Sequence, residues 1–347
     1  MKIGELYDIP FGYRIKEIDR LTANDGELVV EVKSSGICSS DVKMAKRGHP
    51  ILDMYGMPFV GGHEFAGKVK ELGSNVEDIN VGDRVVVSWI TPCLECYYCK
   101  LGLFQFCENA KDTLIQPAGF SEEVKIPKEH QKTRIYRFSK DLEYEKAALT
   151  EPVACALNGI RNTDIKIGDT VVILGMGFMG LLILQLSYLA GAARVIAVDS
   201  VTERLNIAKK LGAKEIINFK KKNTLKSIKE LTNGHGADIV IEATGHISAY
   251  RQAVELGRKG STILYFGGLP NNQKLDIDPN IIHYKQLSVK GSYSYTTQTF
   301  RDGLKLIEEE KIELSSLITD HYKLDDLKEA VMKASEKGSL KVMLDIN

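Results

Sequence analysis

An α/β chain of two domains is expected, one built on a doubly wound parallel sheet and one mostly β. Three observations predict this. The 347 residues are about twice the length of a typical domain of roughly 150 residues. Residues 1–150 hold short β-type runs divided by turn signals. From about residue 165 onward, apolar β-branched runs alternate with helical patterns, as in sheets of parallel strands joined by crossover helices.

In the first half, Glu27–Lys33, Phe65–Leu72, Asp83–Trp89 and Ser121–Ile126 read as strands, punctuated by Gly82–Asp83 and other Gly and Pro residues. In the second, Thr170–Leu174 is a strand and a helix follows to Ala190. Arg194–Val198 is a strand and Glu203–Leu211 a helix. Ile216–Ile217, Asp238–Glu242, Ser261–Tyr265 and Leu287–Lys290 continue as strands, with Ser248–Leu256 as a helix. The segments Phe300–Glu310 and Leu324–Ala334 are helical and Lys341–Ile346 closes as a strand, expected to return to the first domain. Val171–Ala193 carries no charge, yet its glycines split it into a buried strand and a buried helix rather than a membrane span.

Lys+Arg and Asp+Glu both number 46, so the formal net charge is zero. That removes the basic footprint of a nucleic-acid binder and of a polybasic membrane-surface protein. Charges run through the first twenty residues with no apolar core, so no export signal is expected. Of the six cysteines, four cluster at 93, 96, 99 and 107. In a long chain without an export signal, clustered Cys point to metal rather than disulfides, and to the reducing cytoplasm.

Residues 175–180 read Gly-Met-Gly-Phe-Met-Gly, after a strand and at the start of a helix. In that context Gly175 makes the tight turn, Gly177 admits a pyrophosphate and Gly180 allows close helix–strand packing. The helix start at Phe178 and Met179 offers free N–H groups to phosphates. Asp199 ends the next strand, where a carboxylate can accept from ribose hydroxyls and repel a 2′-phosphate, which favours NAD over NADP. Arg204 completes the expected cofactor-binding set. The plainer alternative is an ordinary strand–helix turn followed by a surface Asp.

Cys93, Cys96, Cys99 and Cys107 form C-x2-C-x2-C-x7-C. Four thiolates suit a closed, structural Zn²⁺ site. The rival is an iron–sulfur cluster, whose bacterial run has a shorter last gap and a Pro after the fourth Cys; here Glu108 follows. Elsewhere Cys38, His63, Glu64 and Glu151 each have an ordinary reading, as a core thiol, a buried imidazole and helix or strand acids. Taken together they offer thiolate, imidazole and carboxylate, a donor set suited to a catalytic Zn²⁺ with an open position.

The motifs Gly36-Ile37-Cys38-Ser39-Ser40-Asp41, Gly61-Gly62-His63-Glu64, Val81-Gly82-Asp83-Arg84-Val85, the four-Cys lobe, Glu151-Pro152 and the glycine turn with Asp199 come in one order over most of the chain. In that combination the chain resembles the zinc-dependent medium-chain alcohol and polyol dehydrogenases, most of all the iditol/sorbitol branch. The resemblance implies a GroES-like catalytic domain over 1–152 and 294–347 with a structural zinc lobe at 90–110, a Rossmann NAD-binding domain over 153–293, and a site in the cleft they form. It implies two zincs per chain. Cys38 and His63 would be ligands of the catalytic one, with Glu64 and Glu151 ligating it or standing beside it. Ser40 would take the alcohol proton, Asp41 would orient the imidazole, and hydride would pass to the nicotinamide.

Lys43 departs from relatives that carry a His there to relay the proton, and Ser294 stands about where sorbitol enzymes carry an Arg. Tyr293, Tyr295 and Ser292 can bond hydroxyls or simply pack. Cys155 reads as a core thiol. The expected reaction is oxidation of a secondary alcohol of a polyol to a ketone. L-Threonine 3-dehydrogenase and galactitol-1-phosphate dehydrogenase are the alternatives, the last because Lys43, Lys46 and Arg47 could meet a phosphate. A non-catalytic zinc- and NAD-binding scaffold is the non-enzyme alternative, though it would be expected to lose Cys38, Ser40, His63 or Asp199. A homo-oligomer, tetramer or dimer, is expected from the same resemblance.

Overall fold

Runs of Val, Ile and Leu supply the strands of two large sheets, each with its own apolar core. The computed structural model describes residues 1–89, 91–110, 114–128, 131–270 and 272–346. Ile90, the first residue of the expected zinc lobe, lies outside them. The chain divides into one unit of residues 1–154 with 295–347 and another of 155–294. The first crossing comes after Ala154 and the second after Ser294, a residue or two later than the motif boundaries suggest. The first falls inside a continuous helix, Thr150–Arg161, so no loop marks it.

The chain begins with β1 (Lys2–Asp8) and β2 (Gly12–Glu17), an antiparallel hairpin that alternation did not announce. Then come β3 (Leu28–Ile37), β4 (Glu64–Leu72), β5 (Arg84–Val87), β6 (Glu123–Ile126) and β7 (Ile135–Arg137). The unit 155–294 contributes β8 (Thr170–Leu174), β9 (Arg194–Asp199), β10 (Glu215–Asn218), β11 (Ala237–Glu242), β12 (Gly257–Tyr265) and β13 (Ser288–Gly291). Finally β14 (Ile318–Lys323) and β15 (Lys341–Asp345) rejoin the first unit.

In the first unit the strand order is β14-β15-β3-β4-β5-β7, with β6 also paired to β3. β15 runs antiparallel to β3, and β3 antiparallel to β4. Strand β3 therefore has neighbours on both edges and is buried along most of its length. Leu28, Val30, Val32, Phe65, Val69, Val85, Val124 and Leu344 belong to this core. Fully burying such side chains is worth about 1.5–3 kcal/mol each relative to exposure.

In the second unit six parallel strands run in the order β10-β9-β8-β11-β12-β13, the doubly wound pattern. The charge-free stretch after Val171 is β8 followed by the helix Phe178–Leu189, both largely buried. Among the described residues no helix is long and apolar enough to cross a membrane.

The β8–helix turn depends on Gly180. Alanine is favoured over glycine inside a helix by about 1 kcal/mol, but a Cβ on Gly180 would lie 1.9 Å from the Gly175 carbonyl oxygen. Overlap with backbone outweighs propensity. Gly180→Ala should therefore destabilise the protein by about 1–3 kcal/mol, read from denaturant unfolding; a gain in stability would mean that the turn can open without cost.

Candidate active site

Pairing of β15, β3 and β4 assembles one cluster from three distant stretches of chain. Gly36 of β3 is opposite Met343 of β15 on one side and Glu64 of β4 on the other. Cys38 follows β3 as the N-cap of the helix Ser39–Arg47, where the partial positive charge of a helix start suits an anionic ligand. His63 immediately precedes β4. Ligand atoms of Cys38, His63 and Glu64 all lie within 4.8 Å of one another.

The imidazole of His63 is held at both nitrogens. Nδ1 is 3.7 Å from Oδ1 of Asp41 and Nε2 is 3.4 Å from Oγ of Ser40. The other carboxylate oxygen of Asp41 accepts the N–H of Cys38 at 2.9 Å, so one fully buried acid steadies both the Cys38 backbone and the ring. Burial pushes the Asp41 carboxyl up, against the pull of His63 and the Cys38 N–H. For His63, burial acts downward, but Asp41 and Cys38 raise it well above the usual imidazole range. Trp89, the only tryptophan, sits with its ring 5.5 Å from that of His63 and donates its indole N–H to the Ile115 carbonyl at 3.2 Å.

Glu64 has a partner that the sequence did not suggest. Both its oxygens accept from Nζ of Lys341, at 2.9 and 2.7 Å, and Nζ also reaches the Ile37 carbonyl at 3.3 Å. Both side chains are buried, at 1% and 4% exposure. Burial acts to lower the Lys341 pKa, yet Glu64 and Cys38 raise it above the ordinary lysine value. Gly36 makes the room: a Cβ there would sit 2.2 Å from Glu64 Oε2. The available signal was a lysine opening a strand whose next three residues, Val342, Met343 and Leu344, are apolar and buried.

Glu151 is buried in the first turn of Thr150–Arg161 and its charge acts on both His63 and Lys341, but it is not within the 4.8 Å cluster. Lys43, Lys46 and Arg47 are exposed along the helix that begins after Cys38. Cys155 is only partly buried; it follows the boundary residue Ala154 and is not the core thiol that was expected. Ser88 Oγ and the Tyr295 hydroxyl are 3.0 Å apart. Tyr293 is largely exposed, and the Tyr293 and Ser294 carbonyls accept from the Asn158 amide at 3.3 and 3.0 Å.

The four-Cys lobe forms a second cluster, its sulfurs within 4.8 Å of one another. Cys93 and Cys99 Sγ are 4.0 Å apart, as are those of Cys96 and Cys107. Four sulfurs at about 2.3 Å around a tetrahedral Zn²⁺ would stand about 3.8 Å apart, so the donors fit a closed zinc site. Backbone N–H groups point at the sulfurs, Cys93 N at Cys107 Sγ (3.2 Å) and Cys96 N at Cys93 Sγ (3.4 Å). Burial alone would raise the Cys93 thiol, but the N–H groups of Glu95 and Cys96 hold it down to about 6. The Cys38, His63 and Glu64 set also fits zinc, with an imidazole whose second nitrogen faces a carboxylate.

In the unit 155–294, Gly175 has φ +98 and its N–H bonds the Val198 carbonyl at 2.8 Å. Gly177 caps the helix that starts at Phe178 and Met179, and a Cβ on Gly177 would lie 3.9 Å from Nη1 of Arg204. Asp199 is buried, and its carboxylate is already engaged. Oδ2 accepts Met176 N–H at 2.7 Å, while Oδ1 accepts Ser200 and Val201 N–H at 2.6 and 2.8 Å. It thereby fixes the glycine turn to the end of β9.

The profile of the alcohol dehydrogenase GroES-like domain matches residues 24–135, and that of the zinc-binding dehydrogenases matches 179–309. The chain is 32% identical over 328 residues to a D-arabitol-phosphate dehydrogenase of Enterococcus avium, covering 94% of this chain and 91% of that one. It is 30% identical over 325 residues to a sorbitol dehydrogenase of Bacillus subtilis, covering 92% and 90%. Among solved structures, 2R,3R-butanediol dehydrogenase from Bacillus subtilis superposes with TM-score 0.87 at 30% identity, covering 100% of this chain and 99% of that one.

Removing one partner of a buried ion pair strands the other charge and costs about 3–5 kcal/mol. Lys341→Met should show that loss in thermal unfolding, and adding Glu64→Gln should restore most of it. Unchanged stability of Lys341→Met would mean that the pair carries little, and a destabilised single variant that Glu64→Gln does not rescue would mean that the loss is not the stranded charge.

Proposed function

The chain belongs to the zinc-type medium-chain alcohol dehydrogenases, and is therefore an oxidoreductase of small-molecule alcohols that works with zinc and a nicotinamide dinucleotide; on that premise we propose that it oxidises a secondary alcohol of a polyol to a ketone with NAD. The observation that carries this is the convergence of Cys38, His63 and Glu64 within 4.8 Å, with Asp41 behind the imidazole. The substrate class is supported by the names of the polyol dehydrogenases to which the chain is similar.

Cys38 and His63 would hold the catalytic ion, with the Glu64 and Glu151 carboxylates beside it. When bound, zinc supplies Lewis acidity to the alcohol oxygen and the nicotinamide accepts the hydride from the carbinol carbon. Ser40 takes the hydroxyl proton at Oγ and releases it toward solvent, with exposed Lys43 as the outer group. Asp41 keeps the His63 ring and the Cys38 backbone in place. Glu151 binds a second hydroxyl, which suits a polyhydroxy substrate. Trp89 walls the His63 side and excludes water. The carbinol hydrogen would leave as hydride with two electrons, the hydroxyl proton leaves through Ser40, and a ketone remains.

Gly175, Gly177 and Gly180 with the helix start at Phe178 and Met179 would cradle the pyrophosphate, and Arg204 would lie beside it. Asp199 would accept from the adenosine ribose and disfavour a 2′-phosphate. Cys93, Cys96, Cys99 and Cys107 would hold the structural zinc. A homo-oligomer, tetramer or dimer, fits the family, and the clustering of Cys93, Cys96, Cys99 and Cys107 fits the reducing cytoplasm. A phosphorylated polyol is the second reading, favoured by Lys43, Lys46 and Arg47, all exposed on the helix that carries Ser40.

A panel of polyols, polyol phosphates and L-threonine, scored by NADH absorbance, should give turnover with at least one polyol or its phosphate; turnover of L-threonine alone would overturn the proposal. Cys38→Ser should lower zinc from about two to about one per chain and abolish turnover with the fold retained. Asp199→Asn leaves one acceptor oxygen, so either the Met176 bond or the Ser200 and Val201 bonds are lost. Because both cofactors meet the same altered turn, the NAD-over-NADP ratio of dissociation constants isolates the charge and should narrow about tenfold, and an unchanged ratio would remove Asp199 from cofactor choice.

A further inference from the structure

Glu242 is the last residue of β11 and is completely buried. In register it faces Leu174, the last residue of β8, and Tyr265, the last of β12. The strand order reverses between β8 and β11, and doubly wound sheets bind ligands outside the carboxyl ends of their strands at such a reversal. Asp199 marks the β9 side for the adenosine ribose, so the opposite side, at β11 and β12, faces the nicotinamide half.

A buried carboxylate needs partners, and among the described residues no basic side chain pairs with this one. Its partners come instead from the loop that follows it. Oε1 accepts the Thr244 N–H at 2.7 Å, the Thr244 hydroxyl, and the Gly245 N–H at 3.1 Å. The Glu242 carbonyl accepts Phe266 and Gly267 N–H at 2.9 and 3.0 Å, and Ala243 N–H bonds the Leu174 carbonyl at 2.9 Å. The loop is wedged on both flanks. A Cβ on Gly175 would lie 2.6 Å from the Thr244 methyl, and one on Gly267 would lie 2.3 Å from the Gly245 nitrogen and 3.0 Å from Glu242 Oε2. The carboxylate thus fixes Thr244 and Gly245, while the backbone of residues 242 and 243 links the same loop to the end of β8 and to 266–267.

We propose that Glu242 is a positioning residue for the dinucleotide, anchoring residues 243–245 so that they and the glycine turn form a preformed wall for its nicotinamide half. This rests on the dinucleotide reading of the glycine turn given above. Glu242 itself touches neither cofactor nor substrate. Burial pushes its carboxyl above the usual range, while the Thr244 and Gly245 donors act to lower it, so the anchor is held by hydrogen bonds rather than by a counter-ion.

The test compares two probes on the zinc-loaded protein by calorimetric titration, NADH and ADP-ribose, the latter lacking the nicotinamide. Glu242→Ala should weaken NADH about tenfold, the scale of one lost hydrogen bond to a charged group, and leave ADP-ribose within about twofold. Glu242→Gln keeps the shape and one acceptor oxygen, and should weaken NADH only about threefold, again sparing ADP-ribose. It carries the test if the alanine variant does not fold. Unchanged NADH binding in Glu242→Gln and Glu242→Ala, or equal weakening of both probes, overturns the inference while leaving the dinucleotide reading intact. If the unaltered protein binds neither probe, that reading fails and takes the inference with it.

Discussion

The Lys341–Glu64 ion pair is the constraint around which the first unit is organised. Two charges removed from water repay their desolvation only when geometry is good and other donors and acceptors are satisfied. Here the ammonium reaches both carboxylate oxygens and a backbone carbonyl, and a glycine opposite leaves the space. Because the partners lie 277 residues apart, the pair forms only when the last strand has paired with β3 and β3 with β4. The register that buries it also sets His63 and Cys38 side by side.

The two thiol-bearing clusters differ in chemistry for reasons visible in their donors. The lobe offers four sulfurs at nearly tetrahedral separations and backbone N–H groups aimed at them. Such a set closes around an ion and serves folding. The Cys38 cluster mixes thiolate, imidazole and carboxylate and has a hydroxyl, Ser40, against the ring. Its ring is oriented by an acid that simultaneously holds the Cys38 backbone, the kind of support that keeps ligands in place while a coordination position stays open.

In the second unit, Asp199 and Glu242 fix backbone turns through hydrogen bonds from N–H groups. Asp199 accepts three N–H groups and Glu242 accepts two with a hydroxyl. Both stand at carboxyl ends of parallel strands, where the chain leaves the sheet and its N–H groups lose their ladder partners. A carboxylate there satisfies several orphan donors at once, and the loops become rigid enough to form a binding wall.

Much of this was legible in the chain itself. Strand–helix alternation predicted the doubly wound sheet because periodicity is local, and Gly175, Gly177, Gly180, Cys93, Cys96, Cys99 and Cys107 are bunched tightly enough for spacing to carry meaning. The cluster of Cys38 with His63 and Glu64 was visible only through resemblance, since nothing in spacing joins residues so far apart. Lys341 beneath Glu64, the three N–H bonds of Asp199 and the loop anchored by Glu242 were decided by tertiary structure alone. Each depends on which strands become neighbours and in what register, and that follows from burial summed over the whole sheet rather than from any short stretch of sequence.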